Sequence, residues 1–450
     1  MQNTISSLLS AAATFSPASP ALLGLNSDPI TFKDLLAGVE QSGREMRALG
    51  LRRTDRIAIV LPNGAEMCAC FLSVSSVAAS APLNPAYSAL EFEFYLQDLA
   101  PAAMIVSAGS DSPSIAVANR MSIPILRLVR EDGWFRLEGS VAREPSEEGA
   151  AAPGDIALLL HTSGSTSRPK LVPLTHANLC HSAASVRDSL ALAPGDRCLN
   201  VMPLFHIHGL VGAVLSSMTA RASVVCTPGF HPLDFLDWVA HFQPTWYTAV
   251  PTMHQAILGR LRQIGETHFP STLRMIRSCS SALPPKVMAG LEQAFGVPVL
   301  EAYGMTEASH QMAICPLPPQ PRKPGSVGRP TGCDITVVGE DGSAAPPGQP
   351  GHILIRGAGV TPGYADNPEA NEASFTEGWF RTGDQGYFDS DGYLFLTGRT
   401  KEIINRGGEK ISPREIDEVL MAHPSVAQAM AFALPDSRLG EDVGALVVLR

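Results

Sequence analysis

Apolar positions along the chain fall into short runs that alternate between strand-like and helix-like character. Arg56-Ile-Ala-Ile-Val-Leu61 reads as a buried strand, the apolar stretch from Ala65 to Ala79 as a helix, and Ala103-Met-Ile-Val106 as a further strand. That alternation predicts a parallel sheet with helices on both faces. A Glu-, Ala- and Pro-rich segment from Ala142 to Pro153 reads as a surface connection, after which Ile156-Ala-Leu-Leu-Leu160 resumes the sheet. A second alternating stretch runs from Val201 to about Met312. Its strands are expected at Ala222–Cys226, Trp246–Val250, Leu273–Arg277 and Val297–Glu301. The pattern is that of an α/β protein with two doubly wound α/β subdomains.

Between Pro316 and Pro330 the composition shifts to Pro, Lys and Gly, and short β-rich pieces follow, such as Asp334–Val338 and His352–Arg356, separated by Gly and Pro turns. They predict a small β-barrel or sandwich over about residues 325–398. A polar, Gly-containing segment from Gly398 to Ile411 then precedes a helical stretch, Pro413 to Ala422. The expected organisation is a large domain over 1–398, a hinge at 399–402 and a small α+β C-terminal unit over 403–450.

With 450 residues and 45% hydrophobic content, the chain can bury more than one core. The net charge of −10 and the lack of a long basic run argue against nucleic acid or an anionic membrane surface as partner. Anionic ligands must therefore be met by local groups. Eight cysteines show no CxxC pair and no regular spacing, which indicates reduced, buried thiols and neither a zinc site nor a disulfide framework. No run of 18 apolar residues occurs, and the N-terminus lacks a basic n-region followed by a long apolar stretch. A cytoplasmic protein without a transmembrane segment is expected.

The first chemistry-bearing segment is Thr162-Ser-Gly-Ser-Thr-Ser-Arg-Pro-Lys170, directly after the strand ending at Leu160. Small residues let backbone N–H groups close on phosphate oxygens, hydroxyls add donors, and the terminal Lys adds fixed positive charge. It is not a Walker A loop, because Pro169 stands where Gly is required and Leu171 where Ser or Thr is required. Taken alone, such a run is also an ordinary surface turn.

With Leu174-Thr-His176-Ala-Asn178 after it, this segment resembles the signature of the acyl-adenylate-forming superfamily, which includes acyl-CoA synthetases, peptide-synthetase adenylation domains and luciferases. Ser167 and Leu171 depart from the family's usual glycines. Further segments follow in the family's order. Pro203-Leu-Phe-His206 resembles the turn whose His stands at the mouth of the acyl pocket, and Ser280-Ser281-Ala282 the segment along the adenine and the acyl carbonyl. Tyr303-Gly-Met-Thr-Glu307 resembles the segment whose aromatic ring packs on adenine, whose Thr reaches the α-phosphate and whose Glu binds magnesium. Glu301 and Ala302, just before it, join the nucleotide set. Asp384 resembles the carboxylate that accepts both ribose hydroxyls, and Arg399 a ribose-contacting Arg. Lys401 matches the hinge, and Gly407 and Gly408 the loop that lines the thiol tunnel.

The resemblance thus implies an AMP-forming acid ligase using ATP, Mg²⁺ and coenzyme A. Lys170, His206, Thr306 and Glu307 would be catalytic. Thr162, Ser163, Gly164, Ser165, Thr166, Ser281, Ala282, Tyr303, Asp384 and Arg399 would bind nucleotide. Phe205-His-Ile-His-Gly209, Thr245–Thr252, Arg277-Ser-Cys-Ser280 and Met305–His310 further resemble the oxalate–CoA ligase branch, in which residues matching His206, Ser280 and His310 surround the acid. A small dianion needs donors at its second carboxylate, and two imidazoles with a hydroxyl can supply them. Malonate, medium-chain or aromatic acids remain alternatives, as do an enzyme that loads a carrier protein and a nucleotide-binding homologue without turnover. The family's second adenylation Lys lies in a Lys-rich segment beyond the strand expected at Val443–Leu449. The chain ends at Arg450, so an incomplete C-terminal unit with slowed adenylation is expected.

Overall fold

The computed structural model describes residues 3–131, 133–162, 169–423 and 425–449. Ser163, Gly164, Ser165 and Thr166, expected to grip phosphate, lie outside the described residues.

Two large sheets dominate. In the seven-stranded sheet, Arg56–Val60, Ala79–Pro82, Ala103–Ser107, Ile125–Glu131 and Ile156–Thr162 run parallel, with an antiparallel strand at each edge, Trp134–Glu138 and Lys170–Thr175. Its inner strands carry apolar residues on both faces because helices cover both, as Ala103, Met104, Ile105 and Val106 show by being wholly buried. The apolar stretch expected as one helix from Ala65 to Ala79 divides. The helix Ala65–Ser75 closes when the Ser76 hydroxyl bonds the Leu72 carbonyl at 2.8 Å, and Ala79–Pro82 is a buried strand. Small apolar residues suit either element, and periodicity alone does not separate them.

The nine-stranded sheet has Arg197–Asn200, Ser223–Cys226, Trp246–Ala249, Met275–Ser278 and Val299–Met305 in its parallel part. An N-terminal strand, Pro20–Gly24, crosses from the far end of the sequence to pair in parallel with Ser223–Cys226. Helices Ile5–Phe15, Phe32–Ala48, Ala65–Ser75 and His176–Ser189 contribute to one continuous apolar cluster that also takes in Ile57 and Ile105 of the first sheet and Leu22, Val224 and Leu300 of the second. The site residues therefore sit on a rigid body.

At the end of the second sheet Val299–Met305 turns back as His310–Ile314, an antiparallel hairpin with a bulge between Tyr303 and Gly304. The β-rich region beyond is a five-stranded antiparallel sheet. Its long strand Trp379–Phe388 pairs on one edge with Gly351–Arg356 and on the other with Phe375–Thr376 and Leu394–Arg399. The pairing path runs open from Asp334–Val338 to Phe375–Thr376, so the expected small barrel is realised as an open sheet.

The last described part holds four strands, including the long pair Val426–Asp436 and Gly440–Leu449, and the helix Pro413–Ala422. Arg414 ties it to the body through the carbonyls of Leu396 at 3.0 Å and Gly325 at 3.2 Å. All eight cysteines are free and seven are buried. Among the described residues no helix is long and apolar enough to cross a membrane.

Several histidines are buried in neutral form, which makes the fold acid-sensitive. Burial pushes His176 down to about 4 and His254 down to about 3, and His176 Nδ1 accepts the Ile5 N–H at 3.2 Å to anchor the first helix. Because the unfolded chain protonates these rings near pH 6.5 and the folded chain does not, stability is lost as pH falls from 6.5 towards 4. The loss is about 2 kcal/mol for each ring at pH 5. The apparent Tm should fall steadily between pH 7 and pH 5, and His176→Asn, which keeps an acceptor for Ile5 but does not titrate, should show a shallower fall. Equal slopes for the two proteins would contradict this origin.

Candidate active site

Three strand ends and a helix start converge at the C-terminal edge of the nine-stranded sheet, where α/β folds place ligands. The helix there begins His208–Leu215 and is wound with the wider π-type turn, a feature frequent at functional sites. It brings His208 against Thr248 and Ser280, which lie at or just beyond the ends of strands Trp246–Ala249 and Met275–Ser278.

His208 Nε2 lies 2.6 Å from Thr248 Oγ1 and its Nδ1 lies 3.1 Å from Ser280 Oγ. Arg277, on the strand Met275–Ser278, is wholly buried. Its guanidinium reaches His208 Nε2 at 3.3 Å, Thr248 Oγ1 at 3.2 Å and Gln311 Oε1 at 3.0 Å. Gln311 in turn donates to Ser189 Oγ and Thr331 Oγ1, both at 3.1 Å. The His310 ring stacks on His208 at 5.0 Å, and its Nε2 is buried with no hydrogen-bond partner among the described residues. Burial first, and the Arg277 charge next, hold both His208 and His310 well below the usual imidazole range.

The backbone is built to aim His310. Ser309 and His310 have φ of +53° and +115°, and Ser280 has +75°. Such conformations cost about 1–3 kcal/mol each and persist where the surroundings over-determine them. Two glycines make room. A Cβ on Gly304 would stand 1.8 Å from the His310 carbonyl oxygen, and one on Gly212 would stand 2.4 Å from His310 Nε2.

The nucleotide candidates gather on the other side of the same hairpin. The Tyr303 hydroxyl donates to Asp384 Oδ2 by a short bond, and Arg399 Nε lies 3.4 Å from Asp384 Oδ1. Burial raises the Asp384 carboxyl above its ordinary value, and Tyr303 and Arg399 oppose that rise. Glu307 is buried, its Oε1 accepts from the Tyr364 hydroxyl at 2.9 Å, and Lys170 Nζ stands 4.5 Å over the Tyr364 ring. Burial raises Glu307, while Tyr364, Lys170 and Arg399 pull it down.

Thr162 and Lys170 face each other across the two strands that flank the loop. Thr306 opens the short turn that carries Glu307. Ser281 and Ala282 line a cleft of about 520 Å³ whose far wall is the C-terminal unit, at Asp417, Met421, Gln428 and Met430.

Other expected residues stand apart from these clusters. Glu301 is buried and accepts the Leu283 N–H at 2.9 Å, and the small Ala302 is buried beside it, so both shape the strand under the site. His206 is exposed beside Phe205, and partial desolvation by the surrounding protein lowers its pKa. Lys401 is exposed just after Arg399. Gly407 and Gly408 form the turn of the hairpin Ile404–Ile411, where the Gly407 N–H bonds the Leu439 carbonyl at 2.9 Å and not a group of the pocket.

Sequence reasoning missed His208, Arg277, Thr248, Gln311 and Tyr364. A signal existed for Arg277, a charge inside the apolar strand Met275–Ser278, and for His208, two positions from His206. None existed for Tyr364, which comes from a loop.

As a metal ligand Glu307 offers one carboxylate, which fits Mg²⁺ that arrives on ATP and keeps waters and phosphate oxygens as its other ligands. The described residues hold no group of three or more His, Cys, Asp or Glu side chains that could cage an ion.

Comparison with known proteins gives the family. The family of AMP-binding enzymes matches residues 9–365. The oxalate–CoA ligase of Arabidopsis thaliana is 44% identical over 100% of this chain and 89% of its own, and the sulfoacetate–CoA ligase of Cupriavidus necator is 35% identical over 100% and 88%. The o-succinylbenzoate coenzyme A synthetase of Bacillus subtilis, solved in complex with ATP and magnesium ion, superposes with a TM-score of 0.84 at 29% identity, covering 98% of this chain and 89% of that one. On the match of the family over most of its length and on these relatives, the chain belongs to the AMP-binding enzymes, as an ATP-dependent acid–CoA ligase.

Proposed function

We propose that the acid is oxalate, activated as oxalyl-adenylate and passed to coenzyme A. The observation that carries this reading is the polar cluster of the buried His208 and His310 with the exposed Ser280 at its open end and Arg277 behind it, in which His310 Nε2 has no partner among the described residues. An alkyl or aryl chain there would leave that nitrogen unpaired, at a cost of roughly 1–3 kcal/mol. A second carboxylate would instead supply an acceptor to a neutral imidazole N–H. The nearby relatives support the choice, since both oxalate and sulfoacetate carry a second anionic group on a short acid.

In the first half-reaction the acid's carboxylate attacks the α-phosphorus of Mg·ATP and pyrophosphate leaves. Lys170 and Thr306 would hold phosphate oxygens, Glu307 the magnesium, and Asp384 with Arg399 the ribose. Tyr303 would pack against the adenine, with Ser281 and Ala282 along its edge. Such positioning and charge neutralisation is the main catalytic resource for this chemistry. In the second half-reaction the CoA thiol attacks the acyl carbonyl and AMP departs. Residues 399–402, Lys401 among them, would act as the hinge that brings Gly407 and Gly408 towards the thiol path, and His206 would guard its mouth.

Pyrophosphate release measured over oxalate, malonate, sulfoacetate, hexanoate and benzoate should give the highest kcat/KM with oxalate, by at least about tenfold, the discrimination expected when a buried donor loses its acceptor. No release with oxalate would remove it as the substrate. Glu307→Ala should lower acid-dependent pyrophosphate release by about 10²–10³-fold, in line with the loss of one preorganised charge contact. Unchanged release in that variant would remove Glu307 from the metal site. Gly212→Ala, which thrusts a methyl group against His310 Nε2, should raise KM for the acid while leaving KM for ATP unchanged. A parallel rise in both constants would place the effect outside the acid pocket.

A further inference from the structure

His208 contacts three hydrogen-bonding side chains, and one of them can only donate. The guanidinium of Arg277 has no acceptor, so His208 Nε2, 3.3 Å from it, must present a lone pair. Arg277 also points a donor at Thr248 Oγ1 at 3.2 Å, which leaves the Thr248 hydroxyl proton for His208 Nε2, at 2.6 Å. With Nε2 taken as an acceptor, a neutral His208 carries its proton on Nδ1 and donates it to Ser280 Oγ at 3.1 Å. The Ser280 hydroxyl then has its acceptor side occupied and its own proton free. Ser280 is exposed at the open end of the cluster, in a left-handed backbone conformation that turns it away from the strand.

From this arrangement we infer that Arg277 is a positioning residue: through Thr248 and His208 it fixes the direction of a hydrogen-bond relay that ends in the Ser280 hydroxyl donating to the substrate's carboxyl group. The inference rests on the reading that the acid sits against Ser280. A carboxylate only accepts hydrogen bonds, so the direction matters. In the opposite tautomer His208 Nδ1 would take the Ser280 proton, and two oxygen lone pairs would face each other. Nothing acidic competes for Arg277, since none of its hydrogen bonds among the described residues goes to a carboxylate.

The charged and titratable groups around His208 act in one direction. Burial first, then Arg277 behind it and His254 and His206 nearby, all disfavour a second proton, and the ring stacked on it, His310, is itself held neutral. Cys198 and Cys279, which adjoin Arg277, are buried thiols. The relay is therefore set by geometry and stays in one state through neutral pH.

The test is a double-mutant cycle on the full chain, measured with whichever acid of the panel gives the fastest pyrophosphate release. Thr248→Val keeps the side-chain shape and removes the hydroxyl that donates to His208. It should lower kcat/KM for the acid roughly tenfold with KM for ATP unchanged, and Thr248→Ser should restore most of the loss. In a Ser280→Ala background Thr248→Val should cost nothing further, because the end of the relay is already gone. Additive losses, or equal losses in the acid and ATP constants, would overturn the relay.

Arg277→Met removes the charge that, after burial, most disfavours a second proton on His208, and should move upward the pH at which the acid's KM begins to rise on acidification. A profile unmoved from that of the unaltered protein in a folded Arg277→Met variant would also overturn it. Should that variant not fold, the Thr248 cycle decides alone. Failure of oxalate in the unaltered protein bears only on the substrate and leaves the cycle readable with the accepted acid.

Discussion

A guanidinium sealed inside a protein with no carboxylate to pair with it among the described residues is the constraint around which this site is organised. Leaving such a cation unsolvated is costly, and a structure that keeps one must spend neighbouring groups on its hydrogen bonds. Arg277 uses a hydroxyl, a ring nitrogen and an amide oxygen, and these come from three different elements. Gln311 then passes the tie on to Ser189 and Thr331, so the helix His176–Ser189, the hairpin strand His310–Ile314 and the residues leading to the β-rich sheet are fastened to one point. Burial, and after it the same charge, keeps two adjacent imidazoles neutral. A site with one fixed cation and two neutral rings follows from that single burial.

The hairpin made by Val299–Met305 and His310–Ile314 serves both candidate subsites at once. Tyr303 on its first strand bonds Asp384, Glu307 in its turn bonds Tyr364, and His310 at the start of its return strand stacks on His208. The bulge at Gly304 brings the backbone so near the His310 carbonyl that no side chain fits between them. Under the proposed assignment the two subsites would share this one element, as suits a reaction in which the acid attacks a phosphorus.

Legibility in the sequence tracked the range of the interaction that fixes each feature. The strands Arg56–Val60, Ala103–Ser107 and Asp334–Val338 and the helix Pro413–Ala422 announce themselves locally, through apolar runs or a Ser-Pro helix start. The pairing of Pro20–Gly24 with Ser223–Cys226 joins segments 200 residues apart, and no local pattern encodes it. The same division runs through the site. Tyr303, Thr306 and Glu307 lie in one contiguous segment and were readable together, and the ordered resemblance pointed to Ser280 and His310. Thr248, Arg277 and Gln311 come from three strands, and only the register of the parallel sheet, with Thr248 opposite Arg277, and the antiparallel return that carries Gln311 reveal that they meet.

That register also bears on selectivity. A unit charge on the order of 7 Å from another is worth about 2 kcal/mol at an effective dielectric of about 20, enough to favour a dianion over a monoanion without a direct contact. Arg277 stands one side chain behind Ser280, with His208 between them, so an acid seated at Ser280 feels the charge while touching only neutral donors. Direct ion pairing to the reacting carboxylate would stabilise the ground state and blunt its attack on phosphorus, since only interactions that strengthen in the transition state accelerate the step. A cation set back behind a neutral relay avoids that loss. Under the proposed reading it would attract a doubly charged acid and leave the attacking oxygen free for the phosphate side of the cleft.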